Sequence, residues 1–292
     1  MAITTNSLQI LGSVAPSFSA LGRTLTIGRL GLYAPRSFLQ QVFSRRSGGS
    51  RNLAPGSPEL MWFDAFLRAG GAPSVDVMDA SSYEGATIEH DLNRPMTSEH
   101  YETVDTLIDG GSLEHVFNVV GALETYLKLL RPGGRIFLFD MPLHGYCGHG
   151  FFQFSPIFFS ESLSSRYGFR LDLMLATEDR PFSDFWDVAS QLAKHERMEI
   201  QHSRPCHLHV VATKQASFDG FGAFPIQPDY AARWEQRPSD TRRTAPRVLD
   251  RVRSELAKVW PRGYFRLSHD RNLRKQTAAK QLRRLPRWTP QL

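Results

Sequence analysis

A parallel β-sheet covered by helices, an α/β fold, is expected of this 292-residue chain on three observations. Short aliphatic and β-branched runs alternate with longer stretches of helical periodicity. Gly or Asp punctuates the joints between them. Hydrophobic residues make up 41% and charged residues 22%, enough to build a core and solvate its surface, which excludes wholesale disorder. No run approaches the ~20 apolar residues of a membrane-spanning helix, and no basic segment precedes the weak apolar stretch at the start. Neither a membrane span nor a secretory leader is therefore expected. Two cysteines, Cys147 and Cys206, are too few for a disulfide framework and suit a reducing, cytoplasmic setting.

The elements follow in order. Residues 1–22 are Ser/Thr-rich and weakly patterned, and are expected to form an N-terminal arm, loose or partly helical. Arg23–Ile27 is a short buried strand, and Gly28-Arg29-Leu30-Gly31 is its turn. A helix is expected over 34–43, a Gly/Ser/Arg loop over 44–57, and a second helix over 58–69 that Gly70-Gly71 ends. Strands follow at 74–78, closed by Asp79, at 87–89, leading into His90-Asp91-Leu92-Asn93, and at 104–108, closed by Asp109-Gly110-Gly111. Residues 113–130 carry a helical stripe that Arg131-Pro132-Gly133-Gly134 terminates, and 135–139, 170–175 and 207–212 are the last strands. Strands alternating with helices in this way make a parallel sheet with both faces covered.

In such sheets ligands bind outside the carboxyl ends of the strands. Gly28, Asp79, Asp91 and Asp109 all fall at that edge. A nucleoside ligand needs a carboxylate for its ribose diol, an acceptor for its adenine amine and a glycine turn for its polar tail. Asp79 suits the ribose, Asp91 the adenine, and Gly28 with Gly31 the tail; Arg29, Leu92, Asp109 and Gly110 flank them. An Asp at such a position also caps a turn or helix in its own right.

The runs Leu25-Thr26-Ile27-Gly28-Arg29-Leu30-Gly31, Val77-Met78-Asp79, His90-Asp91-Leu92-Asn93, Ile108 to Val116 (IDGGSLEHV) and Leu130 to Arg135 (LRPGGR) together resemble the class I S-adenosylmethionine (SAM)-dependent methyltransferases. The stretch GHGFFQFSP at 148–156 is similar to a bacterial subgroup associated with surface-polysaccharide and other glycan tailoring. The resemblance spans roughly residues 23–214. It implies a Rossmann-like methyltransferase sandwich, S-adenosyl-L-methionine as cofactor, and transfer to an oxygen of a small molecule or sugar. The first run departs from the family's pattern of an acidic residue followed by Gly-x-Gly-x-Gly. A Rossmann dehydrogenase is disfavoured because Gly-x-Gly-x-x-Gly is absent. An amino-methylating nucleic-acid enzyme is disfavoured because Asp109 is followed by Gly-Gly rather than Pro-Pro-aromatic.

Methylating a hydroxyl calls for a base of near-neutral pKa, for which histidine is the natural candidate. His149, in the Gly- and aromatic-rich loop 141–156, and His115, after the fourth strand, are the two expected catalytic residues, with Glu114 a weaker one. Phe151, Phe152 and Phe154 are expected to wall a sugar or aryl pocket. Phe182, Phe185 and Trp186, in an insertion over 179–199, are expected to give a lid its apolar face. His144, Cys147 and His149, and separately Cys206, His207 and His209, have soft and imidazole donors of the kind zinc takes. No Cys-x₂-Cys pair exists, so no metal is expected.

The net charge of +6 is unevenly spread. Residues 231–292 hold 17 Lys and Arg against five acidic residues, a balance of +12, which leaves −6 for the rest. The segment 215–292 is therefore read as a linker and a basic extension, suited to an anionic membrane surface or a phosphorylated glycan precursor. An acidic body with a basic extension is not a uniformly basic nucleic-acid binder. Two alternatives stay open: a methyltransferase-like binding protein that has lost transfer, and a nucleic-acid methyltransferase that uses the tail.

Overall fold

A computed structural model describes residues 1–48, 53–192, 202–228, 230 and 285–291. Most of the linker and basic extension expected over 215–292 lies outside the described residues, as does the end of the 179–199 insertion.

The protein is mixed α/β, built on one nine-stranded sheet. Its parallel part comprises β2 (Arg23–Ile27), β4 (Ser74–Asp79), β5 (Ile88–Glu89), β6 (Val104–Gly110) and β7 (Leu130–His144). Their spatial order is β5-β4-β2-β6-β7, which in chain order reads 3-2-1-4-5, the doubly wound arrangement. Beyond β7, β10 (Cys206–Lys214) runs antiparallel, wedged between β7 and β8 (Phe169–Glu178). The hairpin partner β9 (Phe185–Asp187) and a last strand β11 (Arg287–Trp288) complete that side.

Both faces of the sheet are covered, as its near-continuous aliphatic strands require. One face packs Leu25, Ile27, Leu107 and Leu138 against α4 (Val119–Leu129) and α5 (Pro156–Ser162). The other packs Ile108, Phe137 and Phe139 against α1 (Thr5–Val14), α2 (Arg36–Arg46) and α3 (Phe63–Ala69). Lys214, fully buried at the end of β10, donates to the carbonyls of Leu127 and Leu130 at the end of α4 (3.0 and 2.6 Å) and meets Glu102 at 3.2 Å.

Four expectations shift. Residues 1–22 are no loose arm: β1 (Ala2–Thr4) pairs in parallel with β3 (Gly31–Tyr33), and Ile3, Leu8 and Ile10 are fully buried. The helix expected over 113–130 starts later, because a 3₁₀ turn (Leu113–His115) comes first and Asn118 caps α4 through Gly121 N–H at 3.3 Å. The Arg131–Gly134 turn is a bulge inside β7, where partners shift from Val104↔Leu130 to Thr106↔Arg135. Phe185 and Trp186 are core residues of β9 rather than a lid face, while half-exposed Phe182 meets Phe38 edge-on at 5.3 Å.

Candidate functional site

The strand order changes direction between β2 and β6, so the ligand crevice of this architecture opens at their carboxyl ends. Parallel register sets the expected residues along one rim, since Ile27 faces both Met78 and Asp109 across its two neighbours, and Asp79 faces Glu89. Backbone bonds then tie the strand ends together. Gly28, at φ +71°, donates to Met78 O at 2.6 Å; His90 N–H donates to Asp79 O at 2.8 Å; Ser112 Oγ donates to Ile27 O at 3.0 Å. Asn118 donates to Asn93 Oδ1 and to its carbonyl (3.0 and 3.1 Å), drawing the loop after β5 against the start of α4.

Along this rim the carboxylates meet different fates. Asp79 is half-buried, and its side chain accepts the N–H of Ala80 at 2.6 Å. Asp91 is exposed and turned onto its own loop: it accepts the backbone and side-chain N–H of Asn93 (3.0 and 2.9 Å), and these bonds hold its carboxyl below the usual range. Asp109 is fully buried and faces inward. It accepts Ser112 N–H (2.7 Å), Leu113 N–H (3.2 Å) and the Tyr126 hydroxyl (3.0 Å), and burial lifts its pKa to about 6. Asp109 therefore shapes the turn after β6. Arg29 bonds Glu84 O at 2.9 Å, lies 3.5 Å from Asp64 and sits 4.6 Å over the Trp62 ring, so it braces the loop after β4. Leu92 packs against the main core.

The space beside Gly28 holds the chain's own start. A Cβ built on Gly28 would stand 2.7 Å from Met1 Sδ, and one on Gly110 would stand 2.7 Å from Ala2 O. Ser112 Oγ lies 2.7 Å from the same thioether, and Gly31 N–H donates to Met1 O at 3.4 Å. The glycines permit this approach because no side chain intervenes. Residues 1–4 were not expected in the crevice, since nothing in their composition signals it.

Next to this crevice the structure gathers Glu114, His115 and His149. The 3₁₀ turn after Ser112 points Glu114 inward. Loop 145–150 closes on it through Gly150, whose added Cβ would fall 2.8 Å from Glu114 O, and through Phe151 N–H, which donates to that carbonyl at 2.8 Å. His149 thereby stands with its ring centroid 5.0 Å from that of His115 and its Nε2 3.9 Å from Glu114 Oε1. Glu114 is 1% exposed, and its Oε2 has no hydrogen-bond partner among the described residues. Burial, then the Asp109 charge, raises its pKa to about 8. Partial desolvation also holds His115 below its ordinary value, reinforced by His149. Both rings are open to solvent. Exposed Phe117 and Phe151 meet edge-on at 5.5 Å beside them, whereas Phe154 is buried in the core. Phe117 lies between elements, where neither helical nor strand periodicity marks it.

The two zinc-like groups weighed from sequence do not come together as sites. His144 Nε2 meets His202 O at 3.0 Å, and Cys147 accepts a long bond from Gln153. Cys206 is buried, its thiol pushed up to about 12 by burial, and bonds Arg204 O. His207 meets the Tyr146 hydroxyl at 2.5 Å and Asp140 at 3.6 Å. His209 is buried between Thr177 and the amide of Asp140 (2.9 and 3.3 Å), and burial lowers its pKa to about 4.

The architecture is thus a Rossmann-like α/β sandwich whose parallel half is doubly wound and whose far half carries a reversed strand. No family profile and no curated protein matches the chain. Solved structures do, at low identity. The CMeT domain of the citrinin polyketide synthase is 12% identical over 69% of this chain, with a TM-score of 0.38. The trans-methyltransferase CalH, described in complex with SAH, is 14% identical over 72%, with a TM-score of 0.36. This chain spans 48% and 57% of those two chains' lengths. A SAM-dependent methyltransferase from Mesorhizobium loti is 13% identical, covers 72% of this chain and 97% of its own, and scores 0.38. These likenesses are weak in both sequence and shape.

Proposed function

We propose that this chain is a SAM-dependent methyltransferase that modifies a hydroxyl of a small molecule or sugar. The reading is supported above all by one juxtaposition: Gly28 and Asp79 close adjacent strands on one side of the switch point of a doubly wound sheet, and the imidazole of His115, on the turn after β6, meets that of His149, from the loop after β7. SAM, when bound, supplies an activated sulfonium methyl whose C–S bond breaks toward sulfur as the acceptor oxygen bonds the carbon. Asp79 fits the ribose diol because its carboxylate is accessible and accepts only a neighbouring N–H among the described residues. Gly28 fits the amino-acid tail, since the space over it already takes a methionine side chain, that of Met1. His149, with His115 beside it, is placed to take the hydroxyl proton; Phe117 and Phe151 offer an apolar wall for the acceptor. Asp91 is proposed at the adenine edge, where its loop bonds would have to be shared. Alignment of acceptor and methyl is the chain's main contribution, because the methyl is already activated. A cytoplasmic setting and a phosphorylated or membrane-bound acceptor held by the basic extension complete the proposal; no described helix is long and apolar enough to cross a membrane.

Calorimetric titration with SAM tests it. Saturable binding is expected, weakened by about 1–3 kcal/mol in Asp79→Ala. Absence of binding to the folded full chain, or unchanged affinity in that variant, would reject the assignment.

A second reading, a binding protein that keeps the fold without transfer, is favoured by Met1 standing over Gly28. It predicts that SAM fails to displace the N-terminal strand, so that the amides of β1 and β3 exchange at the same rate with and without SAM.

A further inference from the structure

We infer that Glu114, His115 and His149 form a binding site for a divalent first-row transition-metal ion such as zinc. The three side chains each offer one donor atom, and those atoms all lie within 4.8 Å of one another. Metal bonds of about 2.0–2.2 Å at angles of about 90–110° place two donors on one ion roughly 2.8–3.6 Å apart. The 3.9 Å between Glu114 Oε1 and His149 Nε2 is too long for a hydrogen bond and lies a few tenths of an ångström beyond that range. Small rotations of two solvent-facing rings bring the third donor in.

The second observation is independent of that spacing. Glu114 is a buried carboxylate with one oxygen unpartnered among the described residues, a costly arrangement unless something positive or protic completes it. The histidines close the same corner from the solvent side, so an ion has an entry path and keeps open positions for water or a substrate oxygen. Two imidazoles and one carboxylate suit zinc and its first-row neighbours better than magnesium or calcium, which prefer all-oxygen shells. Sequence spacing pointed elsewhere, to Cys147 and to the 206–209 group, whose donors are engaged by Gln153, Arg204, Tyr146 and Thr177.

What the ion would do rests on the function proposed above. In the metal-bound form a hydroxyl on the ion would lose its proton more readily, to water, and the imidazoles that take that proton in the metal-free form would be ligands. Ion binding itself does not depend on SAM, so the two ideas can fail separately.

The test is a titration of the chelator-treated full chain with ZnCl₂, and in parallel with MgCl₂, in the absence of SAM. About one zinc per chain is expected, with much weaker magnesium binding. His149→Ala and Glu114→Gln should each weaken zinc binding by at least about tenfold. Zinc should raise the melting temperature of the unsubstituted protein and leave that of His149→Ala unmoved. Should Glu114→Gln not fold, His149→Ala carries the test alone, since its ring is exposed. No saturable zinc binding, or stoichiometric binding that survives His149→Ala unchanged, overturns the site.

Discussion

Asp79 and Asp109 close neighbouring positions on the same rim, one strand apart on either side of β2, and read alike in sequence. Their environments are opposite. Asp79 is half-buried and bonded only to the next amide among the described residues; Asp109 is sealed in the core under Tyr126 with three donors aimed at it. The contrast extends to the two halves of the rim. On the β5-β4-β2 side, the carboxylates of Asp79 and Asp91 accept N–H groups within two residues of themselves. On the β6-β7-β10 side, Asp109, Glu114, Asp140 and His209 are buried, and Asp140 and His209 are held by partners far along the chain. A strand-end Asp thus marks the edge of such a sheet, but only its packing decides whether it serves a ligand or the fold.

Substitution should separate the two carboxylates most sharply. Asp109→Ala leaves Ser112 N–H, Leu113 N–H and the Tyr126 hydroxyl unpaired in the core, and is expected to cost about 3–5 kcal/mol in chemical denaturation. Asp79→Ala should change stability by less than about 0.5 kcal/mol while weakening SAM. Equal stability losses at the two sites would erase the distinction. A similar loss, about 2–4 kcal/mol, is expected of Ile3→Ala, since the fully buried side chain anchors β1; a near-neutral result would return residues 1–4 to the status of a loose arm.

The buried half should also declare itself through pH. Burial lowers the pKa of His209 to about 4 in the folded chain against 6.5 otherwise, and its Nδ1 accepts the Asp140 amide at 3.3 Å. Its neutral form is the folded one, so its contribution is present above pH 6.5 and lost as pH falls toward 4. The stability difference between the unsubstituted protein and His209→Gln should shrink by about 3 kcal/mol across that window. Asp109 has the opposite sign. Its folded pKa of about 6 lies above 3.8, so the difference between the unsubstituted protein and Asp109→Asn should grow in its favour as pH falls from 6 to 4. Two pH slopes of the same sign would contradict this assignment of buried forms. The smallest effect is expected at the exposed aromatic pair, where Phe151→Ala should leave stability within about 0.5 kcal/mol and act only on acceptor affinity.

Much of the sheet was legible beforehand. Arg23–Ile27 was read residue for residue, and the strands closed by Asp79 and Asp109 within two residues, because aliphatic runs bounded by Gly or Asp are strong local signals. The N-terminal helix was legible only as one of two alternatives, a loose or a partly helical arm, since Thr5, Asn6 and Ser7 carry no apolar stripe. Asn6 and Ser7 are buried with their polar groups met, because Asn6 bonds Arg180 O and Ser183 N–H and Ser7 bonds Asp140, partners more than a hundred residues away. Strand β11 was missed for a similar reason: its pairing with β9 at the sheet edge is a long-range event that two residues cannot announce.

Local chemistry in the chain thus determined where strands run and where they stop, and so the existence of a polar rim of glycines, aspartates and histidines. Tertiary packing decided the rest: that Asp109 turns inward while Asp79 stays open, that Met1 lies over Gly28, and that Glu114 meets His149 from a loop 35 residues away. The reason is physical. Backbone preferences act over a few residues, whereas burial and the pairing of buried polar groups depend on segments that only the folded chain brings together.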